Sequence, residues 1–527
     1  MDTFARDRLP PKELWPRLHF DLPELRYPDR LNCATVLLDD AIAEGHGDRP
    51  AILTDAGTIT YCELQARASR IATVLKEAGV FPGNRILLRG YNGPELYAAW
   101  LAVMKTGAIA VTTMPMLRAP ELRAIIAKAR PAFALTDHRL LDELKGEAVE
   151  GGVETVITWG DGDLEARMAK ASDRFVNADT AADDVCLLAF TSGTTGQPKA
   201  CMHFHRDVLA MADVVARHLL KTGPDDVYAG SPPLGFTFGL GALLVFPLRF
   251  RAATVPIETP APAAVLAAIE RHRVTCLFTA PFAYRALAAE LAGRDLTSLK
   301  RCVSAGEFLP KSVSDTWFEK TGIRIIDGIG ATEMIHIFIS ASGNDIRPGS
   351  TGKPLPGYKA CVLDDDGEPM LPGATGRLAV TGPTGCRYLD DERQRDYVQN
   401  GWNVTGDLYR LDEDGYFWFV SRADDMIVSA GYNIAGPEVE WALLAHPAVR
   451  ECAVIGTSDS ERGTVVKACV VLVPGRAGDI ALVKELQDFV KQRIAPYKYP
   501  RVIEFLEALP KTATGKLQRK ALRGAGS

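Results

Sequence analysis

Thr191-Ser192-Gly193-Thr194-Thr195-Gly196-Gln197-Pro198-Lys199 is the stretch on which the reading of the fold turns. It follows an apolar run, Val185-Cys186-Leu187-Leu188-Ala189-Phe190, whose length and uniform character predict a buried strand. A helix is predicted from about His205, so the loop is expected to join a strand to a helix. Glycines at 193 and 196 allow backbone angles that other residues resist. Such a loop can aim successive N–H groups at one point, a cradle for phosphate oxygens. Thr191, Ser192, Thr194 and Thr195 add hydroxyl donors, and Lys199 adds a positive charge. A polar surface turn explains two or three such residues more easily than an unbroken row closed by Pro-Lys. The Walker pattern is excluded, because it needs Gly-Lys-Ser/Thr and here Pro198 precedes Lys199 while Ala200 follows it.

The chain has 527 residues, too many for one core, so two or more domains are expected. Hydrophobic residues make up 47% and charged ones 24%, an ordinary globular balance. A net charge of −6 gives no electrostatic reason to expect nucleic acid as a partner. The ten cysteines are scattered without a Cys-x-x-Cys pair, which suits reduced thiols and a cytoplasmic location. His203-x-His205 has no third ligand nearby in sequence, so no metal is expected there. The charged N-terminus has no apolar core after it and does not read as a signal peptide. No apolar stretch approaches the ~20 residues of a membrane span. The sequence leaves the oligomeric state open, a homodimer included.

Along the chain, 8–32 reads as an irregular arm rich in Pro, Arg and aromatics, and 48–60 as a short hairpin. Residues 61–77 carry a helical stripe, Leu64, Ala68, Ile71 and Leu75. Strand and helix signals alternate as far as Asp327, which predicts an α/β fold of doubly wound, largely parallel sheets. From about 345 to 423, glycine and proline rise and short strands dominate, a β-rich subdomain. From 424 to 527 a fresh pattern predicts a small α+β domain. The expected organisation is therefore a large N-terminal domain, 1–423, and a small mobile C-terminal domain, 424–527.

Five further stretches can carry chemistry. Ser304-Ala305-Gly306-Glu307 follows a predicted strand, and its small residues let a flat base approach the backbone, although a plain strand-to-helix turn would look the same. Asp327-Gly328-Ile329-Gly330-Ala331-Thr332-Glu333 sets a carboxylate where, beside phosphates, it can hold Mg²⁺. Thr405-Gly406-Asp407 offers a carboxylate able to accept two hydrogen bonds from ribose hydroxyls; an Asp turn is the alternative. Asp424-Asp425 precedes Ser429-Ala430-Gly431-Tyr432-Asn433, and Pro510-Lys511-Thr512-Ala513-Thr514-Gly515-Lys516 sets a lysine in a Thr-rich loop.

With the opening loop, these stretches resemble, in order and across nearly the whole chain, the adenylate-forming superfamily of acyl- and aryl-CoA synthetases. The resemblance implies a phosphate loop at 191–199, adenine contact at Gly306, Glu307 and Asp327, and α-phosphate contact at Thr332. It implies Mg²⁺ at Glu333, ribose contact at Asp407 and Arg422, a hinge at Asp424, a first C-terminal turn at Gly431, and a catalytic lysine at Lys516. Two departures stand out: Ile329 occupies a position where many relatives carry an aromatic, and Asn433 one where many carry arginine. Lys498 and Arg501 are candidates for CoA phosphates or, equally, members of a solvated basic turn.

The acid pocket falls by resemblance to Phe236, Thr237, Phe238, Gly239, Ala280, Tyr284, Ala305, Ile329 and His336. Such a lining suits a compact ring better than a long chain. Asp327 to Phe338 resembles benzoate-CoA ligases. Phe4-Ala5-Arg6-Asp7, Leu31-Asn32-Cys33-Ala34 and Gly431 to Glu438 resemble the 2-aminobenzoate branch. The expected activity is ATP-dependent 2-aminobenzoate (anthranilate)-CoA ligation with Mg²⁺, through an acyl adenylate. Benzoate, hydroxybenzoate or medium-chain fatty acid ligation are alternatives, as is a non-catalytic nucleotide sensor.

Overall fold

The computed structural model describes residues 1–145, 152–191, 198–429, 432–459, 463–494, 496–512 and 517–524. The chain folds as two compact units. The first comprises Met1–Leu309, Val313–Ala360 and Val380–Asn403; the second comprises Pro310–Ser312, Cys361–Ala379 and Val404–Ser527.

The first unit holds two sheets. Its strands are β1 (Pro50–Thr54), β2 (Gly57–Thr60), β3 (Arg85–Arg89), β4 (Ile109–Thr113), β5 (Phe133–Asp137), β6 (Thr155–Trp159), β7 (Val185–Thr191) and β8 (Lys199–Phe204). They continue as β9 (Val227–Gly230), β10 (Ala253–Val255), β11 (Cys276–Thr279), β12 (Arg301–Ala305), β13 (Ile325–Gly330), β14 (Ile337–Ser340) and β15 (Lys353–Pro354). One sheet runs β6-β5-β3-β4-β7-β8, the other β15-β14-β13-β12-β11-β9-β10-β1-β2. Within both, the central pairs are parallel and the antiparallel pairs fall at the edges. This is the doubly wound α/β architecture that the alternating strand and helix signals predict.

Helix Tyr61–Glu77 shows how local sequence sets an element. Thr60 accepts a hydrogen bond from the Glu63 N–H, and Glu63 accepts one from the Thr60 N–H, closing a capping box. The striped residues Leu64, Ala68, Ile71 and Leu75 are all buried. Helix Pro281–Ala289 buries Pro281, Tyr284, Leu287 and Ala288 along one face. That face closes a core with Leu266, Ile269, Trp317 and Ile325.

The strand-to-helix expectation for the opening loop is corrected. β7 pairs antiparallel with β8, with Thr191 opposite Lys199 and Leu188 opposite Met202, and helix His205–Met211 starts only afterwards. The helix does begin at His205 as expected; what intervenes is a strand whose Ala200, Cys201, Met202, His203 and Phe204 are all buried.

In the second unit, residues 407–411 of strand Trp402–Leu411 pair antiparallel with strand Phe417–Arg422. Strands Val449–Asp459, Gly463–Leu472 and Val502–Phe505 form a three-stranded sheet. Helices Gly436–Leu444 and Ile480–Arg493 supply Val439, Leu443, Leu486 and Val490 to a core with Val454, Val466 and Val470. No helix among the described residues is long and apolar enough to cross a membrane.

Tyr284, expected as a wall of the acid pocket, is fully enclosed, with its ring set edge-on to Trp317 and its hydroxyl donating to the carbonyls of Leu277 and Val303. Tyr284→Phe should cost about 1 kcal/mol of stability in urea unfolding and leave the KM for the acid unchanged; a shifted KM would restore it to the pocket.

Candidate functional site

Three strand ends bring the predicted residues of the first unit into place. β8 begins at Lys199, directly across from Thr191 at the end of β7. Residues leaving β7 at 191 therefore return at 199 on a neighbouring strand. Ser192, Gly193, Thr194, Thr195 and Gly196 lie outside the described residues, as do Gly431 and Lys516.

β12 ends at Ala305, and Gly306 follows with φ +91, a left-handed turn where a side chain would be strained. Glu307 is partly buried beside it. Asp327 lies on β13, opposite Ser304 of β12. Burial pushes its carboxyl pKa up to about 8, the Gly328 N–H opposing, so it can act as donor or acceptor near neutral pH.

Thr332, Glu333 and Met334 form a single 3-10 turn after β13. Ile335 closes that turn at φ 64, an uncommon angle for a β-branched residue. Its neighbours hold it there. The Thr332 carbonyl accepts from His203 Nε2 at 2.8 Å, and the Met334 carbonyl accepts from the Thr384 hydroxyl at 2.8 Å. His203 lies close to Asp207, whose Oδ2 accepts from Arg387 Nη1 at 2.8 Å; both of these charged side chains are fully buried. Arg387 also lies over the Phe204 ring at 4.1 Å. Burial works to raise the Asp207 carboxyl, but Arg387 and His203 outweigh it and hold the pKa at about 2.

Glu333 is almost wholly buried, and its Oε1 accepts a 2.5 Å hydrogen bond from the Tyr388 hydroxyl. The same hydroxyl lies 3.1 Å from Lys199 Nζ, whose ammonium sits 4.9 Å from the Tyr388 ring centroid. Burial, and then Glu333, raise the Tyr388 pKa, so the phenol stays protonated. The sequence reading missed Tyr388 and Arg387. Nothing periodic marks them, and they reach partners 55 and 180 residues away. The Glu333 carboxylate, with one oxygen free of the Tyr388 bond, is a hard oxygen donor that fits Mg²⁺, an ion that takes few protein ligands and completes its shell with water and phosphate; the Lys199 ammonium is no ligand.

The aromatic stretch forms an apolar box. Phe238 lies 5.5 Å from Phe278 and 5.5 Å from His336, and Phe246 lies 4.6 Å from His336. Phe246 and Phe278 were not foreseen. Burial pushes the His336 pKa down to about 3, the Phe238 backbone opposing, so the ring is neutral. A Cβ on Gly241 would come within 2.5 Å of that ring, so the glycine leaves the room His336 occupies. Thr237, Gly239 and Ala305 are buried; Phe236, Ala280 and Ile329 are partly exposed.

Cys33, Cys186 and His205 converge in the core, with His205 Nδ1 3.2 Å from Cys33 Sγ. Nδ1 also takes the Cys33 backbone N–H. The histidine spacing alone gave no hint of the two thiols.

In the second unit, Asp407 and Arg422 sit opposite each other on paired strands, with Nη1 to Oδ1 at 3.0 Å. The backbone at Asp424 makes a 3-10 turn, Ala423–Asp425. Lys511 bonds Glu451 at 2.6 Å, and Lys498 bonds both oxygens of Glu438.

The sequence pattern of the family described as AMP-binding enzyme matches residues 39–387, and that of the AMP-binding enzyme C-terminal domain matches 438–516. A benzoate–CoA ligase of Thauera aromatica is 35% identical over 95% of this chain and 98% of its own. The crystal structure of the anthranilate CoA ligase AuaEII with anthranoyl-AMP superposes with a TM-score of 0.91 at 34% identity, covering 96% of this chain and 99% of that one. A benzoate CoA ligase from Burkholderia xenovorans LB400 superposes with a TM-score of 0.85 at 31% identity, over 94% and 100%.

Asp207→Asn leaves Arg387 buried without its counter-charge and should cost about 3 kcal/mol. Because the folded carboxyl titrates at about 2, below its ordinary 3.8, the pair's contribution is full above pH 4 and fades as pH falls toward 2. Unfolding free energies of the two proteins, measured at pH 6 and at pH 3, should therefore draw together at the lower pH.

Proposed function

Because the chain belongs to the AMP-binding enzyme family and is an AMP-forming acid–CoA ligase, we propose that it activates an aromatic acid, 2-aminobenzoate (anthranilate) foremost. The observation that carries this reading is His336, an imidazole that burial keeps neutral between Phe238 and Phe246. A box of flat walls favours a ring over a flexible chain. A neutral imidazole keeps one ring nitrogen as an acceptor, which an amino substituent on the acid can meet. Benzoate is the second reading, favoured by similarity to the Thauera and Burkholderia enzymes.

The chemistry begins with two anions. The acid's carboxylate oxygen attacks the α-phosphorus of ATP, pyrophosphate leaves, and an acyl-AMP anhydride remains. Repulsion between the anions is the first obstacle, and fixed positive groups and N–H donors lower it. Lys199 and the loop at 191–199 face the phosphates in this reading, and the Thr332 hydroxyl meets the α-phosphate. Glu333 holds Mg²⁺, which when bound offsets phosphate charge. Asp407, with Arg422, takes the ribose; Gly306, Glu307 and Asp327 line the base. The CoA sulfur then attacks the acyl carbon, and AMP leaves with the bonding electrons. We place the C-terminal domain boundary and its hinge at Asp424, and the lysine that accelerates adenylation at Lys516. ATP, CoA and reduced thiols all suit a cytoplasmic setting.

Two measurements test this. Pyrophosphate release should be faster with 2-aminobenzoate than with benzoate or 4-hydroxybenzoate, and slowest with hexanoate and octanoate; faster turnover of the linear acids would overturn the aromatic reading. Lys516→Ala should slow the adenylation half-reaction by about 10²–10³ while leaving thioester formation from supplied acyl-AMP nearly intact. Equal loss in both halves would remove that lysine from its role.

A further inference from the structure

Tyr388 touches both charges of the phosphate-facing region. Its hydroxyl carries one proton and two lone pairs. It donates to Glu333 Oε1 at 2.5 Å and accepts from Lys199 Nζ at 3.1 Å. Among the described residues, no other side chain bonds either charged group. The phenol is itself held rigidly. The Tyr388 N–H donates to Gln394 Oε1 at 2.8 Å, Met202 donates to the Arg387 carbonyl at 2.7 Å, and Leu389 donates to the Ala200 carbonyl at 2.9 Å. Tyr388 thus pairs with Cys201 as a short addition to β8, and its ring lies edge-on to Tyr397 at 5.9 Å.

A buried carboxylate and a partly buried ammonium this close attract. Left alone they would close into a direct ion pair. That pair would occupy the carboxylate that is to hold a hard cation and the ammonium that is to face phosphate. We propose that Tyr388 is a positioning residue, a neutral spacer that keeps Lys199 and Glu333 from neutralising each other and so keeps the site ready for magnesium-bound nucleotide. The inference rests on the reading of Glu333 and Lys199 given above and adds to it a residue with no charge and no contact of its own with the reacting atoms. The short hydrogen bond orients one carboxylate oxygen and leaves the other with its lone pairs available. The long one leaves Lys199 only loosely held, over the ring face, where release costs little.

The experiment is equilibrium binding of the non-reacting analogue adenosine 5′-(α,β-methylene)triphosphate, by calorimetry, with and without Mg²⁺. It compares the wild-type chain, Tyr388→Phe, and the double variant Tyr388→Phe/Lys199→Gln. The wild type should bind more tightly with Mg²⁺ than without. Tyr388→Phe should lose about ten- to hundredfold of the magnesium-dependent affinity and keep its metal-free affinity. The double variant should regain magnesium dependence, because no ammonium remains to seize Glu333. In turnover, Tyr388→Phe should raise the KM for Mg-ATP and leave the KM for the acid unchanged. Wild-type magnesium dependence in Tyr388→Phe would overturn the proposal. So would an equal loss with and without metal, or a double variant no better than the single one. A wild-type chain indifferent to Mg²⁺ would overturn this inference together with the assignment of Glu333.

Discussion

One ion pair, shut away from solvent on both sides, holds the reactive turn in place. Arg387 and Asp207 are both fully buried, at 2.8 Å, and each would be costly alone. Their pairing is why the chain can carry charge beneath its aromatic layer of Phe204 and Trp15. Asp207 lies beside His203, and His203 donates to the carbonyl of Thr332. Arg387 fixes the segment that delivers Tyr388 to Glu333. A single electrostatic anchor therefore sets both the backbone of the Thr332–Glu333 turn and the orientation of its carboxylate. It also bears the strain of Ile335 at φ 64, since the neighbouring carbonyls of Thr332 and Met334 are both tied down.

The aromatic box rests on a different kind of constraint. Packing of rings, not charge, defines it: Phe238 and Phe246 flank His336, Phe278 packs against both phenylalanines, and Gly241 leaves the volume the imidazole fills. The two regions meet through seven residues of chain, 330–336, with the turn at one end and the imidazole at the other. This arrangement lets the Thr332–Glu333 turn stay fixed while side chains around the box vary, a division suited to a family that joins one chemistry to many acids.

Much of this was legible in the chain itself. The helical stripe of 61–77 and the apolar run at 185–190 name their elements directly, because local burial pattern and local structure coincide there. Lys199, Glu333 and Asp407 stand beside glycines or hydroxyls whose clustering is visible in sequence, whereas Thr332 and Arg422 took their expected roles from the family resemblance. What stayed hidden depends on distance along the chain. β8 is buried along nearly its whole length and so shows no alternation, and its partner strand, not its own composition, makes it a strand. Tyr388 and Arg387 act on residues far away in sequence. Tyr284 entered the pocket reading through the family resemblance, and the structure sets it with Leu287 and Ala288 on a helix face turned to the core.

The central claim is that an acid and ATP react before any thiol is involved. Isotope exchange between pyrophosphate and ATP, measured with Mg²⁺ and 2-aminobenzoate and with CoA left out, tests it most directly. The account predicts exchange that depends on the acid and proceeds at a rate comparable to or above overall turnover. Absence of exchange with every aromatic acid offered, or exchange that appears only when CoA is added, would contradict it.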